Sequence, residues 1–541
     1  MTSLFYFSEV SNNEKNEYLC IRKQMKPLLH IIVLTCAILV GTQASAQSVF
    51  VPLDHQVYPL LVKGETLGMF DSYRMRLLPL SRTEVLFFLK SMSRQAQDLS
   101  NADKELLDFM LGEFTDPEIG ADEESNSERH VYRFEEGEVQ LFLDTRVVQE
   151  FRISRGRVTF GDETLSETSA FGSVRARFGE HVFIGASARS SLLRGEKNPQ
   201  SNFNPSEGAP QVAVGQNVFT DQATGYIGLE RGRLRLYAGR MHLSWGSGLD
   251  ERLGLSQSNE PMDMLHFTLD FERVRFSYMH ANLNGIGSDR YLAGHRLDFR
   301  LSDGVYLGAY ETVVYARRGV RLAYLNPFVP YHFIEHQEGD RDNNMIGVDI
   351  SAVVSPGVRL FGEVFIDDLN WSKPIFDYWG NKLAYQAGIH WASPFDVKPL
   401  EVRASYTRVD PWVYTHNDSL NVYTHYDASL GARIGPNADR YAVAIRLRPH
   451  SNWLVDVSYQ AVRRGQGHFS LAHRAEDGEE KRFLEGVLEK VGQLSVGVRY
   501  QFIRDIFAGG EAVFTRREQA ALVPGLTAQE QFFRLFLDIN Y

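Results

Sequence analysis

Apolar and polar residues alternate along most of this chain, from about residue 129 to its end. Segments with this period of two lie at 233–238, 273–278, 296–301, 441–448, 455–460, 494–502 and 533–541. Half-apolar strands of about ten residues, separated by turns, are typical of transmembrane antiparallel β-barrels. The pattern predicts an all-β barrel of roughly sixteen to eighteen strands, and we favour about eighteen because single-chain bacterial barrels usually have an even number.

The final strand gives the clearest version of this pattern. Every second residue of 533–541 is apolar, whereas Arg534 and Asp538 lie on the opposite face, with Phe536 as the one exception. A soluble sheet with such an edge strand invites aggregation, whereas a closed barrel has no edge. The ending also resembles the C-terminal signal that outer-membrane barrels present to their assembly machinery. We expect this strand to close the barrel against residues 139–152; the alternative is a soluble C-terminal strand.

Short turns and long loops alternate between the predicted strands. The short turns include Ser302-Asp303-Gly304 and Pro356-Gly357. The long loops cover about residues 194–221, 244–261, 317–341, 367–380, 409–424 and 464–489. In outer-membrane barrels the short turns are periplasmic and the long loops are extracellular, so we expect these loops at the cell surface.

The N-terminal part of the chain lacks the period of two and predicts two short helices. Ser81 and Glu84 form a capping box before the first helix, and Ser100 opens the second in the same way. Residues 48–80 are expected to be irregular, and an acidic stretch at 118–128 is expected to be a solvated linker. Because two amphipathic helices cannot bury their apolar faces alone, we expect them to dock on a larger body; an independent helical domain is the alternative.

The first residues have the composition of a secretory signal. An apolar stretch from Leu28 to Val40 follows basic residues and precedes a small-residue cleavage site at Ala44-Ser45-Ala46. About thirteen apolar residues are too few to span a bilayer comfortably, with a retained anchor as the alternative. The predicted organisation is a signal peptide at 1–46, whose start is over-extended if translation begins at Met25, a periplasmic helical region at 47–128 and an outer-membrane barrel at 129–541.

Composition narrows the classes of function. Both cysteines, Cys20 and Cys36, precede the predicted cleavage site, so the mature chain is expected to have neither a disulfide nor a thiol catalyst. A net charge of -11 argues against a nucleic-acid partner. The 16 histidines include no His-Glu-x-x-His and no compact set with metal-ligand spacing, so we expect no metal site and no cofactor.

Five short motifs follow one another in the middle third of the chain. They are Gly239-Arg240 with Trp245-Gly246-Ser247-Gly248, Leu253-Gly254-Leu255-Ser256 and Pro261; Tyr324-Leu325-Asn326-Pro327-Phe328; Asp342-Asn343-Asn344 with Gly347 and Asp349; Glu363 with Asp367-Asp368; and Asn381-Lys382-Leu383-Ala384 with Gln386 and Gly388. In this order and spacing they resemble the Wzi-type capsule assembly family of outer-membrane barrels. Ser247 departs from the commoner Trp-Gly-Pro-Gly form of that family.

The resemblance implies both a fold and a function. It implies a barrel of about eighteen strands with a small helical bundle on its periplasmic side. It also implies a lectin-like role, in which a monomer binds capsular or other surface polysaccharide and supports its attachment to the cell. The family is not known as a class of enzymes, so we expect no catalytic residues. The expected partners are surface polysaccharide, outer-membrane lipid and, during biogenesis, the barrel assembly machinery.

Basic side chains on the inward strand faces are the first candidates for binding a polysaccharide. Guanidinium groups match the carboxylates of an acidic glycan, and Arg275, Arg300 and Arg446 are the candidates that we single out. The full inward set is Arg233, Arg235, Arg275, Arg300, Arg403, Arg446, Arg448, Arg499 and Arg534. The alternative is an internal network in which these arginines pair with carboxylates such as Asp298 and Asp456.

Aromatic residues in the long loops are the second candidates. Aromatic faces stack on the C–H faces of sugars, while neighbouring amides and carboxylates bind hydroxyl groups. The loop residues that we select are Trp371, Trp379, Trp412, Tyr331, Asp367 and Asp368. The alternative is that these rings form an interfacial girdle and pack the loops.

Two other functions remain open at the level of the sequence. An arginine-lined lumen also suits an anion-preferring porin or diffusion channel, which steady conductance in a lipid bilayer would distinguish from a silent, glycan-binding barrel. A lipolytic barrel needs a reactive serine, and Gly246-Ser247-Gly248 lacks the Gly-x-Ser-x-Gly frame of a nucleophile elbow.

Overall fold

The computed structural model describes residues 49–71, 73–115, 129–158, 161–195, 211–257, 259–287, 289–426 and 428–540. The predicted signal peptide with Cys20 and Cys36, the acidic linker at 118–128 and Tyr541 lie outside the described residues. Within these ranges, every helix is too short or too polar to cross a membrane.

Eighteen antiparallel strands form a closed barrel, which confirms the predicted fold class. In chain order they are Val139–Arg155 (β1), Glu163–Phe178 (β2), Val182–Gly195 (β3), Asn217–Arg231 (β4), Leu234–Met241 (β5), Met262–Asp270 (β6), Val274–Leu283 (β7), Arg290–Ser302 (β8), Val305–Ala316 (β9), Asn343–Ser355 (β10), Val358–Asp368 (β11), Lys382–Ala392 (β12), Leu400–Val409 (β13), Ala438–Leu447 (β14), Trp453–Arg464 (β15), Glu489–Ile503 (β16), Ile506–Glu518 (β17) and Thr527–Asn540 (β18). Short two- to five-residue strands flank some of them.

The last strand closes the barrel as predicted. β18 pairs with β1 in a register that joins Phe533 to Ile153 and Asn540 to Arg146. Phe533 and its apolar neighbours point outward, whereas the Asp538 carboxylate points inward and accepts a hydrogen bond from Arg146 Nε at 2.9 Å. The period of two therefore separates a lipid-facing surface from a polar lumen.

The barrel has one end with short turns and one end with long loops. β8 and β9 are joined at residues 303–304, and β10 and β11 at residues 356–357. The loop between β9 and β10 contains an additional helix, Tyr331–Glu338. If the rule for outer-membrane barrels applies, we expect the short-turn end on the periplasmic side and the long-loop end at the cell surface.

Three helices from the N-terminal part close the short-turn end. They are α1 (Val57–Thr66), α2 (Arg82–Ser93) and α3 (Asn101–Phe114), and their apolar side chains share one buried core. The predicted capping box is present, because Ser81 Oγ accepts from Glu84 N at 3.3 Å while the Glu84 carboxylate accepts from Ser81 N at 3.0 Å. The helices dock on the barrel rather than stand apart, since Gly357 N donates to Thr66 O at 2.9 Å.

The prediction that residues 48–80 are irregular was wrong, because α1 lies within them. Most of α1 is buried, including Leu60, Leu61 and Gly64. A helix that is buried on most sides lacks the polar stripe that makes a helical period readable in a sequence. We call the described residues between 49 and 115 the helical plug.

Two long loops fold back into the lumen from the other end. We call the described residues of 242–261 and 410–437 the loop plug. Leu253, Tyr414 and Tyr423 are fully buried there and share a core with inward side chains of the strands. Because apolar side chains of two separate loops and of the wall meet in one core, the loops and the barrel stabilise each other.

The two plugs meet inside the barrel. Leu77 and Leu78 of the helical plug pair with Trp245 and Ser244 of the loop plug in a two-stranded antiparallel sheet. Gly246 N adds a hydrogen bond to the carbonyl oxygen of Arg76 at 3.1 Å. The described part of the lumen is therefore spanned by protein from one end to the other.

Candidate functional site

The inward arginines are paired with carboxylates of the same chain. Arg275 is 1% exposed, and it donates from Nη2 to Glu84 Oε1 at 2.5 Å and from Nε to Asp270 Oδ1 at 2.6 Å. Arg235 Nη1 donates to the same oxygen of Glu84 at 2.7 Å. This is the internal network that the sequence left as an alternative. Burial removes Arg275 from the reach of a polysaccharide, which corrects its predicted role.

Glu84 is the residue that joins the helical plug to this network. Burial opposes ionisation of its carboxyl group, but the guanidinium groups of Arg235 and Arg275 outweigh burial and hold the pKa of Glu84 well below its usual range. Glu84 is thus a carboxylate that closes the α2 capping box and bridges two arginines of the wall.

The other two selected arginines lie toward the short-turn end. Arg300 Nη1 lies 2.6 Å from Asp71 Oδ2 of the helical plug, and Arg446 Nε donates to Asp456 Oδ1 at 2.7 Å. Arg233 is an exception among the predicted lumen residues, because it is exposed in the turn before β5. Arg233, Arg300 and Arg446 therefore lie away from the long loops, where we expect a cell-surface ligand to bind.

The motif residues of the middle third converge on one buried carboxylate inside the barrel. Glu363 accepts hydrogen bonds from the Tyr310 hydroxyl and from Gln386 Nε2, both at 2.6 Å. The backbone N–H groups of Leu253 and Gly254 donate to it at 3.2 Å and 3.3 Å. A Cβ at Gly254 would lie 2.4 Å from the Tyr310 ring, so this position requires glycine. The motifs thus order the loop plug.

The remaining motif residues divide between the lumen and the outer wall. In or beside the loop plug lie Gly239, Arg240, Trp245, Gly246, Gly248, Ser256 and Asn343. Trp245 is fully buried, and its ring centroid lies 6.1 Å from that of Tyr310. Asn326 and Pro327 instead belong to a loop outside the barrel wall. Asn344 lies on β10 and faces outward, where its Nδ2 donates to Glu311 Oε1 at 3.0 Å.

Two of the predicted ligand residues in the loops are buried. Tyr331 is fully buried against the outer wall, with its ring centroid 4.5 Å from that of His295. Asp367 is buried at the end of β11 and accepts a hydrogen bond from Tyr414 N at 2.5 Å. Packing and backbone contacts already occupy both side chains, so neither side chain is free to contact a ligand as the sequence predicted.

Three rings from three different loops meet at the long-loop end. The Trp379 and His473 rings are stacked, with centroids 3.6 Å apart and an angle of 7° between their planes. Trp412 stands edge-on to both, with centroids 4.9 Å from His473 and 6.5 Å from Trp379. All three side chains are partly exposed. We call these three residues the aromatic rim cluster.

Backbone and buried charge contacts hold the loops of the rim cluster together. Trp379 N donates to Glu479 O at 3.1 Å, and Lys481 N donates to Asp377 O at 2.6 Å. Lys481 Nζ also donates to Asp410 Oδ2 at 2.6 Å, and both of these side chains are 1% exposed. An ion pair this deeply buried fixes the relative position of two loops, because separating its partners leaves an uncompensated charge.

The rim cluster combines the chemistry that sugars require. Its rings offer apolar faces. Glu479, whose backbone carbonyl accepts from Trp379 N, has a carboxylate that is 80% exposed and lies 3.2 Å from Lys373 Nζ. Of the other predicted residues, Trp371 is 81% exposed and Asp368 pairs with Lys382 Nζ at 2.6 Å. His473 was missed, because a single histidine in a polar loop gives no signal that it will meet two tryptophans.

A cavity of about 610 Å³ lies beside the loop plug. Its lining includes Phe171, Arg189, Gln222, Glu260 and Tyr426. Two of its charged groups already have partners, since Arg189 Nε donates to Ser191 Oγ at 3.0 Å and Glu260 Oε2 accepts from Gln222 Nε2 at 2.7 Å. The rim cluster is therefore the better candidate for contact with a large external ligand. Across the described residues, no group of three or more His, Cys, Asp or Glu side chains could hold a metal ion.

Comparison with solved structures finds the same barrel fold in a known protein. The structure of Wzi, an outer-membrane protein involved in group 1 capsule assembly in Escherichia coli and described as a carbohydrate-binding β-barrel, matches with a TM-score of 0.60 at 13% identity, covering 92% of this chain and 100% of that one. OccAB1 of Acinetobacter baumannii and OprD of Pseudomonas aeruginosa match at 10% and 11% identity, each over 74% of this chain and over 96% and 93% of their own, with TM-scores of 0.45 and 0.43.

The sequence itself gives the family. No curated protein matches the chain. The family model for the capsule assembly protein Wzi matches residues 173–532, which is more than half of the chain and includes the motifs around Glu363 as well as the rim cluster. This protein therefore belongs to the Wzi capsule assembly family.

Proposed function

We propose that this protein binds surface polysaccharide at its long-loop end and supports the attachment of a capsule or exopolysaccharide to the cell. The observation that carries the proposal is the aromatic rim cluster of Trp379, Trp412 and His473. Membership of a capsule assembly family supports it, as does the structural likeness to a barrel described as carbohydrate-binding.

The filled lumen directs the ligand to the rim. Inside the barrel, buried apolar side chains of the loop plug and paired charges such as Arg275 with Glu84 leave little surface for a polymer. A polysaccharide is also too long to enclose, so it needs an open surface on which several sugar rings can lie. Rings that converge from three loops provide such a surface.

The cellular setting follows from the same reasoning. An outer-membrane barrel with its long loops outside presents the rim cluster to the cell surface. We propose that residues 1–46 act as a signal peptide that directs the chain across the inner membrane, and that the barrel assembly machinery then inserts it as a monomer. Its action is binding rather than catalysis.

Capsule retention in cells tests this proposal. A strain that lacks the protein is complemented with wild type, with Trp379→Ala/Trp412→Ala, or with Trp453→Ala. Trp453 is a matched control, because it is a partly exposed tryptophan on β15 at the short-turn end, where its ring lies 4.6 Å from that of Tyr500. We expect the wild type and the Trp453 variant to restore cell-bound polysaccharide and the rim variant to release it into the medium.

Measurements of folding and conductance separate a loss of binding from misfolding and from pore formation. Heat-modifiable mobility in gel electrophoresis must show that the rim variant is a folded barrel. Full capsule retention by the folded rim variant would contradict the proposal. In a planar bilayer, the purified wild type is expected to be silent because both plugs occupy its lumen, whereas a steady, large conductance would favour the porin.

A further inference from the structure

The loop between β9 and β10 lies on the outside of the barrel wall. We call residues 317–341, with the helix α4 (Tyr331–Glu338), the outer flap. Tyr324 and Tyr331 of the flap are fully buried against Val313 and Tyr315, which alternate on β9 with the inward residues Thr312 and Val314. The Tyr278 hydroxyl of β7 donates to the Tyr324 carbonyl at 3.1 Å. A long loop thus folds over the outer face rather than into the lumen.

The flap covers polar groups on a face that is otherwise apolar. Glu311 points outward on β9, and it accepts hydrogen bonds from Tyr331 N at 2.8 Å and His332 N at 2.7 Å, at the N-terminus of α4. His295 Nε2 lies 3.1 Å from the same carboxylate. A charge on the outer face of a barrel is costly within the membrane, and the flap satisfies this one with hydrogen bonds.

The flap continues the apolar belt of the strands. On β8 the outward residues Leu301, Phe299 and Leu297 are not covered, and the covered stretch begins at His295 toward the long-loop end. Phe328 of the flap stacks on Phe276 of β7, with centroids 5.4 Å apart and planes at 19°, and Phe276 pairs with Leu297 in the sheet. The flap therefore begins where the exposed apolar surface of β7 and β8 ends, and the two surfaces are continuous.

The outer side of the flap is itself apolar. Leu322 is 74% exposed, Phe328 is 72% exposed and Phe333 is 61% exposed, although each belongs to an otherwise ordered segment. The helix end is fixed by charge, because Arg318 Nη1 and Arg321 Nη2 both donate to Glu338 Oε2, at 3.2 Å and 2.5 Å. Large apolar side chains exposed on a fixed segment mark an interaction surface.

We propose that the outer flap is a membrane-contact element that presents Leu322, Phe328 and Phe333 to the acyl chains of the outer leaflet. The occupant follows from continuity, because the lipid-facing belt of β7 and β8 passes directly into the flap at Phe276 and Phe328. An interfacial helix buries its apolar side about 5–10 Å into the boundary between headgroups and acyl chains. The flap thereby anchors the long-loop end of the barrel at a fixed depth.

Lipid-borne quenchers test the proposal on the full chain. In a Cys20→Ser/Cys36→Ser background, single cysteines replace Phe328, Phe333 or Leu322, are labelled with bimane and are reconstituted into phosphatidylcholine vesicles brominated on the acyl chains. Leu297→Cys on the belt is the positive reference, and Trp371→Cys in an extracellular loop is the negative one. We expect flap labels to show at least about half the bromine quenching of the Leu297 label, as for an interfacial helix.

Two results would overturn the proposal. One is quenching of the flap labels by aqueous iodide but not by brominated lipid, as expected for Trp371→Cys. The other is protection from iodide that appears only at high protein-to-lipid ratio, together with disulfide-linked dimers of the same cysteine variants left unlabelled and oxidised, which would assign the face to a second copy. Leu322 and Phe333 are exposed, and replacing Phe328 removes its ring contact with Phe276 but leaves the buried contacts of Tyr324 and Tyr331 in place. Agreement among the three positions therefore guards against a local effect at one of them.

Discussion

Arg275 in the barrel interior and Trp379 at the long-loop rim show how differently two regions of this protein use their side chains. Arg275 is 1% exposed and has two carboxylate partners, whereas Trp379 is partly exposed and its ring is stacked on that of His473 from another loop. The ion pairs of Arg275 form within the chain without a ligand, and they contribute to stability. The rim keeps apolar surface in water, which is unfavourable unless something binds there.

Glu84→Gln is expected to have the largest effect, and only on the interior. It removes the carboxylate that Arg235 and Arg275 share, which leaves these two buried arginines only their wall partners Glu230 and Asp270. Breaking a buried ion pair costs about 3 kcal/mol. Amide hydrogen exchange in α2 should then accelerate on the order of a hundredfold, since that is the ratio to which such a free energy corresponds. Glu105→Gln, an exposed change on α3, is the matched control and should leave exchange in α2 unchanged.

The contribution of Glu84 should also depend on pH in a defined direction. Its pKa is lowered in the folded protein, so the unfolded chain binds the proton more readily. The stabilisation is therefore fully present above the unfolded pKa of about 4.3 and is lost as the pH falls through the folded value. The difference in α2 exchange between wild type and Glu84→Gln should be constant from neutral pH to about pH 5 and shrink below it. A difference that instead grew on acidification would refute the assignment.

His473→Ala is expected to have a moderate effect, and only on the rim. It removes one stacking partner of Trp379, and an aromatic pair contributes about 1 kcal/mol beyond its buried area. Polysaccharide affinity, measured by titration with a labelled polymer, should fall roughly fivefold. His468→Ala, an exposed histidine of the same loop with local hydrogen bonds, should have no effect. Equal losses in both variants would mean that the loop, rather than the ring stack, binds the sugar.

Trp371→Ala should have the smallest effect. The Trp371 side chain is 81% exposed, and within the described residues its ring joins no aromatic contact. Its removal should change affinity by less than about 0.5 kcal/mol, as for most surface substitutions. A loss as large as that of Trp412→Ala would show that the binding surface extends along this loop beyond the rim cluster.

The sequence predicts those parts of the protein that depend on local pattern. The strands, the inward direction of Arg534 and Asp538, and the capping box at Ser81 all follow from spacing along the chain. Trp379 and Trp412 could be selected because tryptophans in long loops are few. Their contact with each other could not be predicted, because it depends on how separate loops pack in space.

The direction in which a loop folds is the part that local pattern leaves out. Leu253 and Tyr324 both lie in motifs of long loops, yet one folds into the lumen and the other onto the outer wall. The choice depends on the wall residue that each loop meets, which is Glu363 inside and Glu311 outside. In each case a buried carboxylate of the wall accepts hydrogen bonds from backbone N–H groups of the loop, which favours that side of the wall. Such contacts join residues that are distant in sequence, so local pattern does not predict them.

Equilibrium binding of a fluorescent acidic capsular polysaccharide to two purified variants tests the central claim most directly. Trp379→Ala/Trp412→Ala removes the rim, and Arg446→Gln/Asp456→Asn neutralises an interior pair on both sides. We predict at least about a thirtyfold loss of affinity, equivalent to about 2 kcal/mol, for the rim variant and less than about a twofold change for the interior variant. Retained binding by the rim variant together with lost binding by the interior variant would contradict the account.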